Sequence, residues 1–173
     1  MKMKMRTLFS SLVLWGLFAP ALDAAEDAHG KALRGVAGYF VEVEGVHPDF
    51  ARYGLTTQDL RERVTQTLIR SGVSTLTREE IADDAQGGRL LLSLRTNRET
   101  MTFYFYGLAL RAEREIPIGD GGLNQTVWSD TEIGVAKPFE LKRVLKLAES
   151  LTEKLIEAHQ RANRPVVVGA LQP

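Results

Sequence analysis

The chain has 173 residues, no cysteine, and 22 basic residues against 22 acidic residues. The lack of cysteine excludes disulfides, thiolate metal sites, thiol nucleophiles and lipid attachment at a cysteine. The charge is balanced, and nothing in the sequence resembles the basic stripe with which nucleic-acid-binding proteins neutralise phosphates, so we expect no nucleic-acid partner.

The first 25 residues predict a secretory signal peptide. Lys2, Lys4 and Arg6 precede an apolar run over 8–18, and small residues follow over 19–25. This order of basic, apolar and small-residue regions is typical of an export signal. The apolar run is also shorter than the ~20 residues that a membrane span needs.

Cleavage of this signal could follow Ala21, Ala24 or Ala25, and the sequence leaves the three sites open. Cleavage after Ala25 leaves 19 basic and 21 acidic residues in a chain of about 148 residues, the size of one domain. We therefore predict a soluble protein of the bacterial periplasm, without stable membrane insertion after cleavage. Release from the cell is the alternative.

No repeat or linker divides the remaining chain. We expect a mobile lead over 26–35, one domain over 36–163 and a tail over 164–173. The first strand is predicted over 36–44, where apolar residues alternate, and a loop follows over 45–54.

The first helix begins with a capping signal, because Thr56 and Asp59 have the spacing of a capping box. Its apolar stripe consists of Leu60, Val64 and Leu68. Gly72 is placed to end this helix in the left-handed conformation.

A short strand is predicted over 73–76, and Thr77 with Glu80 predicts a second capping box. Two long strands, from Leu90 and over 101–115, are predicted to form a hairpin, and a further strand is predicted over 126–133.

The last helix is predicted from Pro138 to Asn163. Its apolar positions keep helical spacing: Leu141, Val144, Leu145, Ala148, Leu151, Leu155 and Ala162. The element order favours an α+β fold, a two-layer sandwich in which two main helices cover one face of a mostly antiparallel sheet of four to five strands.

Three groups of residues are candidates for chemistry, and each has a structural explanation. His29, His47 and His159 lack the spacing of metal ligands, so we predict no metal site. Carboxylates share strand faces at Glu42/Glu44 and Glu113/Glu115, but nearby arginines favour ion pairing over catalysis. Asp120 lies in a glycine-rich stretch without the lysine of a phosphate-binding loop, so a turn is predicted. We predict no cofactor and no enzymatic activity.

The strand over 101–110 is apolar on both faces, unlike an antiparallel strand with one solvated face. One face belongs beneath the helices, and the other needs a cover. The chain's own lead, loop or tail could supply this cover, or a partner could. If a partner binds there, we expect Tyr104, Tyr106 and Trp128 to contribute to the contact.

The succession of elements resembles a group of small exported bacterial α+β domains. The segment over 54–73, the long hairpin, the strand with Trp128 and the final amphipathic helix look like the N-terminal domain of TolB and the related folds of CsgG and PelC. The resemblance covers most of 35–163 and rests on element order. It implies a binding or assembly component of the cell envelope. This chain lacks the lipoprotein cysteine of CsgG and PelC and the propeller of TolB, so membrane attachment and pore formation are not carried over. Because the resemblance is not a residue motif, no site residue is carried over either.

We therefore predict a periplasmic interaction or assembly module that binds an envelope protein, or a second copy of itself, through the face or edge of its sheet. The alternative is a carrier of a small apolar or lipid ligand, held between the sheet and the loop over 45–54.

Overall fold

A computed structural model of the chain describes residues 32–83, 86–98, 103–118 and 121–164. The predicted signal peptide, His29, Asp120 and the tail from residue 165 lie outside these ranges.

Five strands and three helices make up the described chain, together with two short 3-10 helices. In chain order they are β1 (Gly38–Glu44), a 3-10 helix (Pro48–Tyr53), α1 (Thr57–Arg70), β2 (Ser74–Thr75), α2 (Arg78–Asp83), β3 (Gly87–Arg98), β4 (Tyr104–Ile118), β5 (Gly121–Ala136), a second 3-10 helix (Pro138–Glu140) and α3 (Arg143–Ala162). The strands form one sheet in the order β2-β1-β3-β4-β5, and α1 and α3 pack against it. The predicted α+β class is confirmed.

The sheet is mixed in direction. β1 pairs in parallel with β2 and with β3, whereas β3, β4 and β5 form antiparallel pairs. The parallel pairs arise because long connections that contain helices separate β1 from β2 and β3, and such crossovers bring the chain back in the same direction. The antiparallel pairing of β3, β4 and β5 agrees with the mostly antiparallel sheet that the sequence predicts.

Local signals fix the ends of α1 as predicted. The Thr56 hydroxyl oxygen accepts a hydrogen bond from the Asp59 amide at 3.0 Å, and the Asp59 carboxylate accepts one from the Thr56 amide at 3.0 Å. Gly72 follows the helix with φ of 75°, in the left-handed region. The predicted stripe of Leu60, Val64 and Leu68 is fully buried.

Helix α3 lies beside α1, and one carboxylate joins them. Glu149 of α3 accepts hydrogen bonds from Arg70 at 2.7 Å and from Arg63 at 3.3 Å. The Arg70 bond is the main reason that the pKa of Glu149 is lowered. Pro138 begins a 3-10 turn, and the α-helical residues of α3 start only at Arg143.

The connection over 45–54 is ordered by a 3-10 helix rather than being an open loop. His47 caps this helix, since its Nδ1 accepts a hydrogen bond from the Asp49 amide at 3.2 Å. Phe50 is buried, and its ring meets that of Tyr104 edge-on with centroids 5.2 Å apart. The connection therefore contributes to the core.

The residues just before β1 also belong to the packed domain. Leu33 is fully buried. Asn163, at the end of α3, accepts a hydrogen bond from the Gly35 amide at 2.8 Å and donates one to the Leu33 carbonyl at 3.2 Å. The lead that we expected to extend to residue 35 is therefore tied to the domain at 32–35.

Candidate functional site

The alternation of β4 places Tyr104 beneath the helices. Tyr104, Leu108 and Leu110 point to the same side of the strand, and all three are buried. Tyr104 is only 7% exposed and packs against Phe50. This placement differs from the solvent-facing position that we expected for a partner contact. The signal that could have found it is the polar pair Arg111 and Glu113, which shares a side with Phe105 and marks that side as solvated.

Tyr106 and Trp128 lie on the same helix-covered side, closer to the rim of the sheet. Both are half-buried and pack against the core. The Tyr106 ring crosses β5 at Gly134, where a Cβ atom would collide with the ring and its hydroxyl. Gly134 thus makes room for Tyr106. A role of Tyr104, Tyr106 and Trp128 in binding a partner stays a prediction.

The opposite side of the sheet, which we call the open face, is charged along one half. Arg89 forms a 2.6 Å ion pair with Glu42 and lies 4.0 Å from Glu113. Glu44 accepts a hydrogen bond from the Ser93 hydroxyl at 2.5 Å and lies 4.0 Å from Arg111. Three of the carboxylates that were candidates for catalysis, Glu42, Glu44 and Glu113, are therefore neighbours of arginines. This is the arrangement of an ion-pair network.

The other half of the open face carries an exposed apolar patch: Phe103, Phe105, Ile133 and Val135. Phe105 lies directly opposite Val135 in the β4–β5 register, and Ile133 lies opposite Gly107. Ile133 is 82% exposed, an unusual value for an aliphatic side chain on a strand. Phe139, just after β5, is also exposed. None of these exposed residues was among the predicted partner-binding residues.

The β4–β5 hairpin extends past the rest of the sheet at its other end. The last pair between β3 and β4 joins Arg89 to Glu113, whereas β4 and β5 continue to pair as far as Ile118 and Gly121. We call this extension, 114–118 with 121–125, the arm. Ile116 and Leu123 face each other across it and are 40% and 57% exposed. Two strands alone are marginally stable in water, so an arm with an exposed apolar pair is suited to contact with another surface.

Strand β5 is also the rim of the sheet. Within the described ranges, β4 is its one strand neighbour. Its 16 residues include no proline, lysine or arginine, the residues that usually protect an exposed edge. Asp130 and Glu132 are held toward the helices by Lys154, at 2.8 Å and 3.1 Å. A register shift opposite Ala112 and Glu113 protects the edge in part, because a bulge twists the strand locally.

The described histidines have structural contacts. His47 caps the 3-10 helix after β1, as stated above. His159 lies on α3, and its Nδ1 is 3.1 Å from the Tyr39 hydroxyl. Burial lowers the pKa of His159, which favours a neutral ring in this contact.

In the described part of the chain, no group of three or more His, Asp or Glu side chains could hold a metal ion. Among the helices described, none has the length and apolar character to cross a membrane.

The fold and its open face define this protein as a two-layer α+β domain with a mixed five-stranded sheet. No protein-family model and no curated protein sequence matches the chain. Two solved structures are similar to it. A PelC dodecamer from Paraburkholderia phytofirmans has 14% sequence identity and a TM-score of 0.41, and the match covers 73% of this chain and 90% of that chain. A minor lipoprotein from Acinetobacter baumannii has 11% identity and a TM-score of 0.35, and the match covers 73% of this chain and 91% of that chain.

The predicted resemblance to PelC is confirmed as a structural similarity. It concerns the arrangement of the chain and transfers no function or site residue.

Proposed function

We propose that this chain is a non-enzymatic interaction or assembly module of the bacterial cell envelope, exported to the periplasm, that binds a protein partner through the rim of its sheet. The observation that carries the proposal is the β4–β5 arm, with the exposed pair Ile116 and Leu123. The signal-peptide pattern over 1–25 supports the envelope location.

A protein partner would cover two features of this rim, the exposed apolar side chains of the arm and the backbone edge of β5. A partner that covers Ile116 and Leu123 removes apolar surface from water, at about 25 cal/mol per Å². A partner strand beside β5 would also pair with the backbone groups of the edge, which is the geometry of strand addition. The exposed parts of Tyr106 and Trp128 lie next to this edge and would extend the contact.

The alternative function is that of a carrier of a small apolar ligand. Such a carrier would need a cavity between the sheet and the connection over 45–54. Phe50 and Tyr104 are in ring contact in that region, which favours a packed interior over a ligand site. Native mass spectrometry of the protein purified from its own envelope tests this alternative directly, because a carrier retains added mass.

The protein-binding proposal is tested by co-purification from crosslinked envelopes with the full chain. The variant Ile116→Ser/Leu123→Ser should lose a stoichiometric protein partner, whereas the matched control Ile69→Ser should keep it. Ile69 is 58% exposed on α1, so it controls for the loss of an exposed aliphatic side chain elsewhere. Failure to recover any partner, or equal recovery with the arm variant, would contradict the proposal.

A further inference from the structure

We propose that the end of the molecule opposite the arm binds the surface of an anionic lipid bilayer. This end is formed where β4 begins, β5 finishes and the chain turns through Pro138–Glu140 into α3. It is independent of the proposed protein contact, because 11 residues of β4 separate Phe105 from Ile116, which corresponds to about 35 Å along the strand.

The apolar part of this end suits shallow contact with lipid. It consists of the open-face patch (Phe103, Phe105, Ile133 and Val135) together with Phe139, and exposed fractions run from 40% to 82%. Side chains of this size expose on the order of 500 Å² in total. Two or three rings and aliphatic groups are sufficient to enter the boundary between headgroups and acyl chains.

The charged part of the same end is strongly basic. Residues 137–146 include four cations, Lys137, Lys142, Arg143 and Lys146, and one acid, Glu140. The Lys137 ammonium lies 5.8 Å from the centre of the Phe139 ring, so a cation stands directly beside the most exposed aromatic side chain. Glu140 is already engaged, because it accepts a hydrogen bond from the Lys137 amide at 3.1 Å and lies 3.9 Å from Arg143.

These cations lie near the amino-terminal end of a helix, which itself carries partial positive charge. Glu140 caps the 3-10 turn that leads into α3, and the first turn of α3 contains no acid. The positive helix end and the lysines together would attract an anionic surface.

The positive charge of this end is complementary to a bilayer with anionic headgroups, which is therefore the binding partner that we propose. Phe139 and the patch would enter the interface, and the cations would contact the headgroups. Such binding is peripheral and reversible, since apolar insertion is shallow. Each Lys or Arg close to such a surface strengthens binding about fivefold.

Vesicle flotation with the full purified protein tests this proposal. We expect binding to vesicles of equimolar phosphatidylcholine and phosphatidylglycerol, little binding to phosphatidylcholine alone, and weaker binding at high salt. Phe139→Ser/Ile133→Ser should reduce binding at least tenfold, whereas Leu123→Ser/Ile69→Ser, two exposed side chains elsewhere, should not change it.

A charge pair of variants separates the electrostatic part. Lys137→Gln/Arg143→Gln should weaken binding to the mixed vesicles roughly 25-fold, and the matched control Arg78→Gln/Arg164→Gln should have little effect. Circular dichroism checks that each variant is folded. No binding to the mixed vesicles, equal binding to neutral vesicles, or equal loss in the control variants would overturn the proposal. A change of oligomeric state caused by Phe139→Ser/Ile133→Ser without vesicles would overturn it too, because it would assign this end to a second copy of the chain.

Discussion

Tyr104 and Phe105 are adjacent aromatic residues whose environments differ completely. Tyr104 is buried against Phe50 beneath the helices, and Phe105 lies on the open face opposite Val135. Alternation along a strand sends successive side chains to opposite sides, so one residue serves the core and the next remains available at the surface.

This difference predicts unequal effects on stability. Tyr104→Ser should lower the free energy of unfolding by about 3–5 kcal/mol, as truncation of a buried aromatic ring does. Phe105→Ser should change it by less than about 0.5 kcal/mol, as is usual for surface positions. Urea unfolding followed by circular dichroism measures both. Similar losses in the two variants would show that the open face is covered in the native protein.

At the scale of elements, α3 is fixed on the sheet by a polar contact within an apolar interface. The Tyr39 hydroxyl of β1 and Nδ1 of His159 on α3 form a hydrogen bond of 3.1 Å. Burial raises the pKa of Tyr39, so its hydroxyl stays protonated, and burial lowers the pKa of His159 below its ordinary value of 6.5. Protonation of His159 would place a charge in this part-buried contact, which burial disfavours.

The lowered pKa of His159 predicts that stability falls as pH decreases below about 6.5. In that range the unfolded chain binds the proton and the folded chain does not, so the proton favours unfolding until the folded-state pKa is reached. The hydrogen bond from Arg70 lowers the pKa of Glu149 below 4.5, and its contribution is lost only at more acidic pH. Urea unfolding between pH 7.5 and 5.5 therefore isolates His159.

In this series, His159→Gln should flatten the pH dependence. The same slope in wild type and His159→Gln, or greater stability at pH 5.5 than at 7.5, would contradict the assignment.

Elements with strong local signals could be predicted from the sequence. The Thr56–Asp59 capping box, the stripe of α1 and the left-handed Gly72 depend on neighbouring residues, and the structure confirms them. The parallel pairing of β1 with β3 was not predicted, because it depends on contacts between residues far apart in the chain. The 3-10 helix over Pro48–Tyr53 was missed for the same reason, since the burial of Phe50 against Tyr104 stabilises it.

The candidate site was harder to predict than the fold. The sequence pattern shows that 101–110 is apolar on both faces. Which of the two faces lies beneath the helices can be predicted only from the whole strand, including the residues after 110. Arg111 and Glu113 decide it by placing charge on the side of Phe105. Ile133 and Phe139 become candidates only once their exposure is known.

On the scale of the whole molecule, the β4–β5 hairpin has distinct surfaces at its two ends. One end carries the arm, with Ile116 and Leu123, and the other carries the apolar patch beside the basic start of α3. A module with this arrangement could rest on a membrane surface while presenting its arm to a protein.

Site-specific photo-crosslinking in living cells tests the central claim, the binding of a protein partner, most directly. A photoreactive side chain replaces Leu123 on the arm in one strain and Ile69 on α1 in another. The account predicts a discrete protein adduct from position 123 and none from position 69. No adduct at position 123, or the same adducts from both positions, would contradict it.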